Sequence, residues 1–338
     1  MNRCLQLALL GAGNVAPNPL VGAVLVHDDR IIGEGYHKKY GEAHAEVNCI
    51  SSVTDEDKDL IQKSTLYVSL EPCVHFGKTP PCTDLIIKNK IPKAVIGCQD
   101  VYKEVDGKGI EKLQNAGVQV VTDVLEKECR ELNKRFFTYH QKQRPYIILK
   151  WAESANAKIG SEKERVFISN EFTNRLVHKW RSEEAAILIG KQTALKDDPA
   201  LTNRLWTGKD PVRCVIDNDL SLPSTLKIFD HSIPTIVFNS LKDDEERNIK
   251  WVKINHKDAS TIVTAMYELH FQSVLVEGGS KLLQSFIDER LWDEIRVIRN
   301  ETLIIENGIS SPELKGSHLH RHEKYVSDRI SYFLPASK

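Results

Sequence analysis

The chain has 338 residues, 41% of them hydrophobic and 28% charged, with 46 basic and 47 acidic side chains and a formal net charge of -1 at pH 7. This composition excludes an intrinsically disordered chain and gives no global attraction to nucleic acid or to an anionic membrane, so a small charged metabolite is the easier partner. The length exceeds what one core usually serves, which predicts two domains, and no apolar run approaches the roughly 18 residues of a membrane span.

The first stretch, "MNRCLQLALL", reads as a helix. It is followed by Gly11-Ala-Gly13-x-x-Ala16, which mimics a dinucleotide-binding fingerprint. That fingerprint requires a strand before it and a helix after it. Here a Leu/Ala-rich helix precedes and Pro17 and Pro19 follow, so the glycines end a helix and lead into a Pro-Asn-Pro loop. Gln6 interrupts the short apolar start, which argues against a signal peptide.

"VGAVLVHDDRIIGEGY" predicts a hairpin around Asp28-Asp29. Then come a helix from about His44 to Val53, a strand "TLYVSL", a helix after Pro81, a strand "KAVIGC", a Gly-led helix near Ile110 and a strand "VQVV". A long charged helix, "VLEKECRELNKRFFTYHQK", closes this half. The alternation describes a three-layer α/β domain over residues 1–143. From 144 to 338 the alternation restarts, through "PYIILKWA", "NEFTNRLVHKWRSEE", "AAILIG", "VRCVID", "TIVF", "ASTIVTAMYELH", "SVLVEGG" and "SKLLQSFIDERL", as a second α/β domain. The three close histidines of "KGSHLHRHEKYVSDR" read as part of a solvated tail. Seven scattered cysteines suit a reducing cytoplasm, and Cys4, Cys49, Cys98, Cys129 and Cys214 read as small buried hydrophobes.

The other two cysteines carry chemistry. "EAHAEVNC" and "SLEPCVHFGKTPPC" supply His44, Cys73 and Cys82, one imidazole and two thiolates, a set that holds one tetrahedral zinc while leaving a fourth position for water. Glu46 is free to act as a proton shuttle. Positions i and i+2 of an ideal helix point about 200° apart, so His44 and Glu46 converge only if His44 stands at the helix start. Pro80-Pro81 likewise places Cys82 at a helix start, where thiolate is favoured. A closed structural zinc with His75 as fourth ligand is the alternative.

His-Ala-Glu, Pro-Cys and a second Cys resemble the zinc-dependent cytidine-deaminase superfamily, in which activated water attacks an amine-bearing ring carbon and the glutamate moves protons to the departing ammonia. Many members have Pro-Cys-x-x-Cys, whereas eight residues separate Cys73 from Cys82 here. With that spacing, "EPCVHFGKTPPC" and "APNPLVGAV" resemble the bifunctional riboflavin-biosynthesis deaminase/reductase family. The resemblance implies that Asn18 holds the pyrimidine and that His75, Lys78 and Thr79 line the site or meet the ribose phosphate.

The same resemblance implies a dihydrofolate-reductase-like second domain using NADPH. "ILKWAESANAKIG" puts Lys150 and Ser154 in matching places but has Ala155-Asn156-Ala157 where the family has Leu/Met-Asp-Gly. "HKWRSEEAAILIGKQTALKDDPALTNR" implies substrate contacts from Arg181, Leu201 and Arg204 and cofactor contacts from Thr193 and Asp197. Arg181 and Arg204 could clamp a phosphate between them. Gly278, Gly279 and Ser280 offer free N–H groups to a cofactor phosphate, Glu277 reaches ribose hydroxyls, and Phe167 stands where the family often has a cofactor-side tryptophan. The expectation is a cytoplasmic enzyme with one zinc per chain and NADPH, acting on a phosphorylated pyrimidine, with no nucleic-acid or membrane partner and self-associating. The rival, a nucleic-acid base deaminase, would need a basic, aromatic-lined channel that the neutral charge does not favour.

Overall fold

The computed structural model describes residues 1–76, 80–161, 163 and 165–336, and the chain divides into two compact units, Met1–Gln143 and Arg144–Lys338. Among the described residues no helix is long and apolar enough to cross a membrane.

In the first unit five strands, Gly22–His27 (β1), Arg30–Tyr36 (β2), Thr65–Val68 (β3), Lys93–Ile96 (β4) and Gln119–Val121 (β5), form a sheet of order β2-β1-β3-β4-β5. The β1–β2 and β1–β3 ladders are antiparallel, and β3–β4 and β4–β5 are parallel. The Asp28-Asp29 hairpin forms as predicted, both residues taking the positive φ that a two-residue turn of the right twist demands. Strand alternation then sorts the side chains. Ala23 and Leu25 of β1, with Leu66 and Val68 of β3, pack with Ala45 and Cys49 of helix Ala45–Ser51 (α2), Ile86 of Cys82–Lys88 (α3) and Leu113 of Lys108–Asn115 (α4). Val24 and Tyr67 face the other way, onto Cys4 and Leu7 of Asn2–Leu9 (α1). Near them Cys98 and Leu70 pack on Cys129 of Glu126–Leu132 (α5) and Phe137 of Lys134–Lys142 (α6). The sheet thus lies between two helical layers, as the alternation predicts.

The single long helix predicted over 124–142 is instead two helices that part at Asn133. The reason is a specific side chain. Asn133 is buried, its Oδ1 accepts the Leu20 N–H (2.8 Å) and its Nδ2 donates to the Leu20 carbonyl (2.9 Å), so the break in the helix braces the Pro-Asn-Pro loop.

The second unit holds a ten-stranded sheet. Its strands are Tyr146–Glu153 (β6), Ala186–Gly190 (β8), Val212–Ile216 (β9), Thr235–Asn239 (β10), Asp244–Glu246 (β11), Ile249–Lys253 (β12), Ser273–Val276 (β13), Glu294–Asn300 (β14), Ser317–Tyr325 (β16) and Asp328–Pro335 (β17). A short ladder of Lys158–Ser161 (β7) with Gly308–Ser310 (β15) stands apart. The order is β11-β12-β10-β9-β8-β13-β6-β14-β17-β16, parallel from β12 to β14 and antiparallel at both edges. Helices Ala259–Glu268 (α9) and Ser280–Asp288 (α10) cover one face, and Glu171–Glu183 (α7) and Lys191–Asp197 (α8) the other.

The predicted solvated tail is the hairpin β16–β17. Ile330 and Tyr332 of β17 alternate into a core with Val177 and Trp180 of α7, and the Asp328 carboxylate accepts hydrogen bonds from the Asn170 N–H and the Thr173 hydroxyl at the start of that helix. His318, His320 and His322 lie exposed on the edge strand and belong to no convergent metal-ligand group.

Replacing Asn133 by Ala would strand the two Leu20 backbone groups it satisfies. The expected cost is about 1–3 kcal/mol, read as an earlier urea transition of the first domain together with faster amide exchange around β1. Unchanged exchange would mean that the helix break does not hold the loop.

Candidate active sites

Both sites form where parallel strands end, the usual place for ligands in open α/β sheets. In the first domain His44 is the N-cap of α2, with extended backbone (φ -72°, ψ 167°), and Glu46 lies in the first turn. This is the placement that lets residues two apart face one centre. Cys73 follows β3, Cys82 opens α3 after Pro81, and the Cys73 carbonyl accepts both the Thr83 N–H (3.2 Å) and its hydroxyl (3.1 Å), tying the two cysteine segments together.

His44 Nδ1 is 3.5 Å from Cys73 Sγ and 3.4 Å from Cys82 Sγ, and the three ligand atoms lie within 4.8 Å of one another. Zinc with ordinary Zn–N and Zn–S bonds in tetrahedral geometry would set N and S about 3.5 Å apart. The donor set and its spacing fit that ion. Among the described residues no other group of this kind converges, and His75 is not part of it: its Nδ1 is buried without a hydrogen bond, 4.0 Å from a Glu104 carboxylate oxygen. The four-ligand closed site is therefore not formed.

The electrostatics suit a ligating pair. A hydrogen bond from Cys82 holds the Cys73 thiol down to about 4 against the cost of burial, helped by His44, while Cys82 rises in turn. The shift on Cys73 is the informative one, since it names the sulfur that carries charge first. Burial, then the Cys73 charge, pushes the Glu46 carboxyl up, and Glu46 also meets Cys82.

These residues line a cavity of about 410 Å3 that also presents Asn18, His37, His75, Asp100, Tyr102, Phe136 and His140. Asn18 Nδ2 lies 3.1 Å from His37 Nε2, and His37 Nδ1 lies 3.0 Å from the Ala43 carbonyl. With the imidazole proton on Nδ1, the Asn18 amide donates to Nε2 and its orientation is fixed. Asn48 Nδ2 reaches the same carbonyl, so the pyrimidine loop and the start of α2 share one network. Lys78 and Thr79 lie outside the described residues.

Sequence reasoning passed over Glu71, in the Glu-Pro-Cys run. It is buried, and its carboxylate accepts N–H groups from Asp100 (3.1 Å), Gly107 (3.0 Å), Gly109 (2.8 Å) and Ile110 (3.2 Å). This holds the segment that brings Asp100 and Tyr102 to the cavity. Gly109 is required there, since a Cβ would come 2.2 Å from the Pro72 carbonyl. Burial pushes the Asp100 carboxyl up to about 6.

In the second domain Glu277 follows β13 and is paired bidentately with Arg181 of α7 (2.8 and 2.7 Å), with Lys150 Nζ 3.6 Å away. Burial opposes ionisation of Glu277, but these two cations hold its carboxyl down at about 2. Arg204 is placed differently. Its N–H donates to His178 Nδ1 (2.9 Å) and its guanidinium to the Thr202 hydroxyl (2.7 Å), leaving it on the exposed side, next to buried Leu201. His178 stays neutral, lowered to about 4 by burial and by Arg181 and Arg204.

Thr193 and Asp197 lie on α8, Gly278-Gly279-Ser280 lead into α10, and a Cβ on Gly279 would come 3.3 Å from Thr193 Oγ1, so the two helix starts meet. The Ser280 hydroxyl donates to the Ser310 carbonyl (2.8 Å). Phe167 is exposed beneath the Arg165 guanidinium (5.0 Å), and the same arginine acts on Asp197, whose carboxyl burial pushes up. Ser154 donates to Asn156 (2.7 Å), and Asn156 exchanges two hydrogen bonds with the backbone of Ile305. The residue that departs from the expected pattern is thus a stitch between β6 and the later chain.

Comparison with known proteins agrees with this geometry in both domains. Residues 1–98 match the family model of the cytidine and deoxycytidylate deaminase zinc-binding region, and residues 145–304 match that of the RibD C-terminal domain. The chain is 39% identical over 325 residues to riboflavin biosynthesis protein RibD of Aquifex aeolicus, covering 93% of this chain and 89% of that protein, and 34% identical over 318 residues to RibD of Escherichia coli, covering 88% and 85%. The crystal structure of a diaminohydroxyphosphoribosylaminopyrimidine deaminase/5-amino-6-(5-phosphoribosylamino)uracil reductase from Thermotoga maritima superposes with a TM-score of 0.90 at 35% identity, over 99% of this chain and 97% of that one. Acinetobacter baumannii RibD gives 0.90 at 28% identity, over 99% and 98%. The chain belongs to the RibD family of riboflavin-biosynthesis enzymes, with a zinc-binding deaminase domain followed by a reductase domain.

Proposed function

We propose that the first domain hydrolyses the amine from a diaminopyrimidinone ribosyl 5'-phosphate and that the second uses NADPH to open and reduce the ribosyl group of the product to a ribityl chain. The observation that carries this is the convergence of three ligands, His44, Cys73 and Cys82, with Glu46 beside them in the wall of a cavity that also holds Asn18. When bound, zinc brings the pKa of a water near neutrality. Asn18, its amide oriented by His37, holds the pyrimidine edge, and Glu46 takes a proton from water and returns it to the departing nitrogen at its carboxylate oxygens. Water adds to the ring carbon, the carbon–nitrogen bond breaks and ammonia leaves.

In the second domain NADPH, when bound, supplies a hydride. Gly278, Gly279, Ser280 and Thr193, at the facing starts of α10 and α8, hold its phosphates, with Asp197 and Phe167 at the edge of that site. Glu277 accepts hydrogen bonds from ribose hydroxyls, which its ionised state permits, and Ser154 and Leu201 complete the wall. The fork of Arg181 is already taken by Glu277, so the phosphate of this substrate falls to Arg204, and Arg181 acts by fixing the carboxylate.

A parallel assay of ammonia release and NADPH oxidation on the diaminopyrimidinone ribosyl phosphate tests the whole reading, with oxidation expected to lag ammonia; absence of both would overturn it. Glu46→Gln should keep one zinc per chain by metal analysis yet release ammonia about 10²–10⁴-fold more slowly, while oxidising NADPH normally when given the deaminated intermediate. Full ammonia release would remove Glu46 from its role. Glu277→Gln leaves Arg181 and Lys150 buried without their counter-charge, so the second domain should lose about 3–5 kcal/mol of stability. Its KM for the deaminated intermediate should rise while ammonia release stays at the wild-type rate; an unchanged KM would take Glu277 out of the substrate contact.

A further inference from the structure

We infer that His140, from the last helix of the deaminase domain, is a substrate-binding residue of the deamination site, donating a hydrogen bond to the phosphate of the ribosyl arm. The inference rests on the deaminase reading above and adds a residue to it.

Geometry comes first. His140 stands on α6, far in sequence from the His44–Glu46 and Cys73–Cys82 segments, yet its ring lines the same cavity as Asn18, Glu46 and Cys73. Three aromatic neighbours fix it edge-on: Phe136 at 4.4 Å, Tyr102 at 5.2 Å and Tyr139 at 5.2 Å between ring centres. Tyr102 in turn meets His75 at 5.8 Å, so the rings run in one row from the second cysteine segment to α6. A side chain packed this firmly on aromatic rings has little freedom to seek a partner elsewhere.

Unused hydrogen-bonding capacity comes second. Among the described residues neither ring nitrogen of His140 makes a hydrogen bond, although every other contact of the ring is satisfied packing. Burial lowers its pKa, which keeps the ring neutral with one donor and one acceptor. A half-buried imidazole that spends both nitrogens on nothing is disfavoured unless water or a ligand takes them. His75, at the other end of the row, also has its Nδ1 buried without a hydrogen bond.

The cavity's own layout then assigns the ligand. The amine-bearing carbon must lie at the metal ligands and Glu46, and Asn18 holds the pyrimidine edge, so the ring occupies that part of the cavity. The ribosyl phosphate must extend along what remains, the wall of Tyr102, Phe136 and His140. The acidic groups near this wall, Asp100, Glu42 and Glu104, would repel a phosphate, and neutral N–H donors on rigid rings offset that repulsion.

Steady-state ammonia release by His140→Phe and His140→Gln tests this. The Phe variant keeps a ring in the row and removes both nitrogens; Gln restores a donor and an acceptor. For the Phe variant the KM for the phosphorylated substrate should rise about 10-fold or more with kcat changed less than 2-fold, inorganic phosphate should weaken correspondingly as a competitive inhibitor, and Gln should recover part of the loss. An unchanged KM, or phosphate inhibition equal to wild type, would overturn the inference. So would a fall in kcat at constant KM, which would place His140 at the reacting atoms. Zinc content, and NADPH oxidation with the deaminated intermediate, report on each variant's folding. A wild-type protein that releases no ammonia would instead defeat the deaminase reading, an outcome separate from any effect of His140.

Discussion

Burying a carboxylate costs several kcal/mol unless its oxygens are fully engaged, and each domain sets one such group where its sheet ends and its site begins. Glu71 takes four backbone N–H groups and thereby fixes the segment from Asp100 to Ile110. Glu277 takes Arg181 bidentately with Lys150 near. The first is spent wholly on architecture. In the second, each oxygen keeps a lone pair, so the same group that organises the site can still meet a ligand.

The catalytic side chains around these anchors stand on short connections between rigid strands and helix starts, which suits a site that must hold reacting groups within a fraction of an ångström. His44 shows why the local backbone matters. Were it inside α2, its ring and the Glu46 carboxyl would point apart; as an extended N-cap it turns toward Cys73 and Cys82 while Glu46 follows on the same side. The His37–Ala43–Asn48 network then ties this helix start to the Asn18 loop, and Asn133 ties the loop to the break between α5 and α6. Distant parts of the chain thus fix one cavity through a few buried amides.

Much of this was legible in the sequence because it follows from local rules. The Asp28-Asp29 hairpin, the helix starts at His44 and Cys82, and the three-ligand set each depend on residues close together in the chain. The family resemblance added fold and reaction, which spacing alone does not supply. Three features were illegible, each for a tertiary reason. The charged run 124–142 has unbroken helical character, and only the partner across the fold, Leu20, reveals why Asn133 interrupts it. The stretch 317–335 is polar on its outer strand because that strand is an edge, and the apolar alternation of β17 was hidden beside it. His140 and Tyr102 carry no motif, so their arrival in the cavity depends on the packing of α6 and on Glu71.

Asn156 shows how a departure from a family pattern can leave the architecture intact. A short polar side chain after Ser154 can close a turn by bonding its own neighbours, and here it does more: Oδ1 accepts from both the Ser154 hydroxyl and the Ile305 N–H, while Nδ2 donates to the Ile305 carbonyl. An aspartate could accept the first two but has no donor for the carbonyl, so the amide satisfies a backbone group that a carboxylate would leave to water. The substitution therefore changes charge in this turn while preserving its connections. Because Ser154 also accepts the Lys158 N–H (3.1 Å), its hydroxyl is held in one orientation, with its proton committed to Asn156. Any ligand reaching Ser154 meets an acceptor rather than a donor, which favours a hydroxyl or N–H of the substrate over its phosphate and leaves the anion to Arg204.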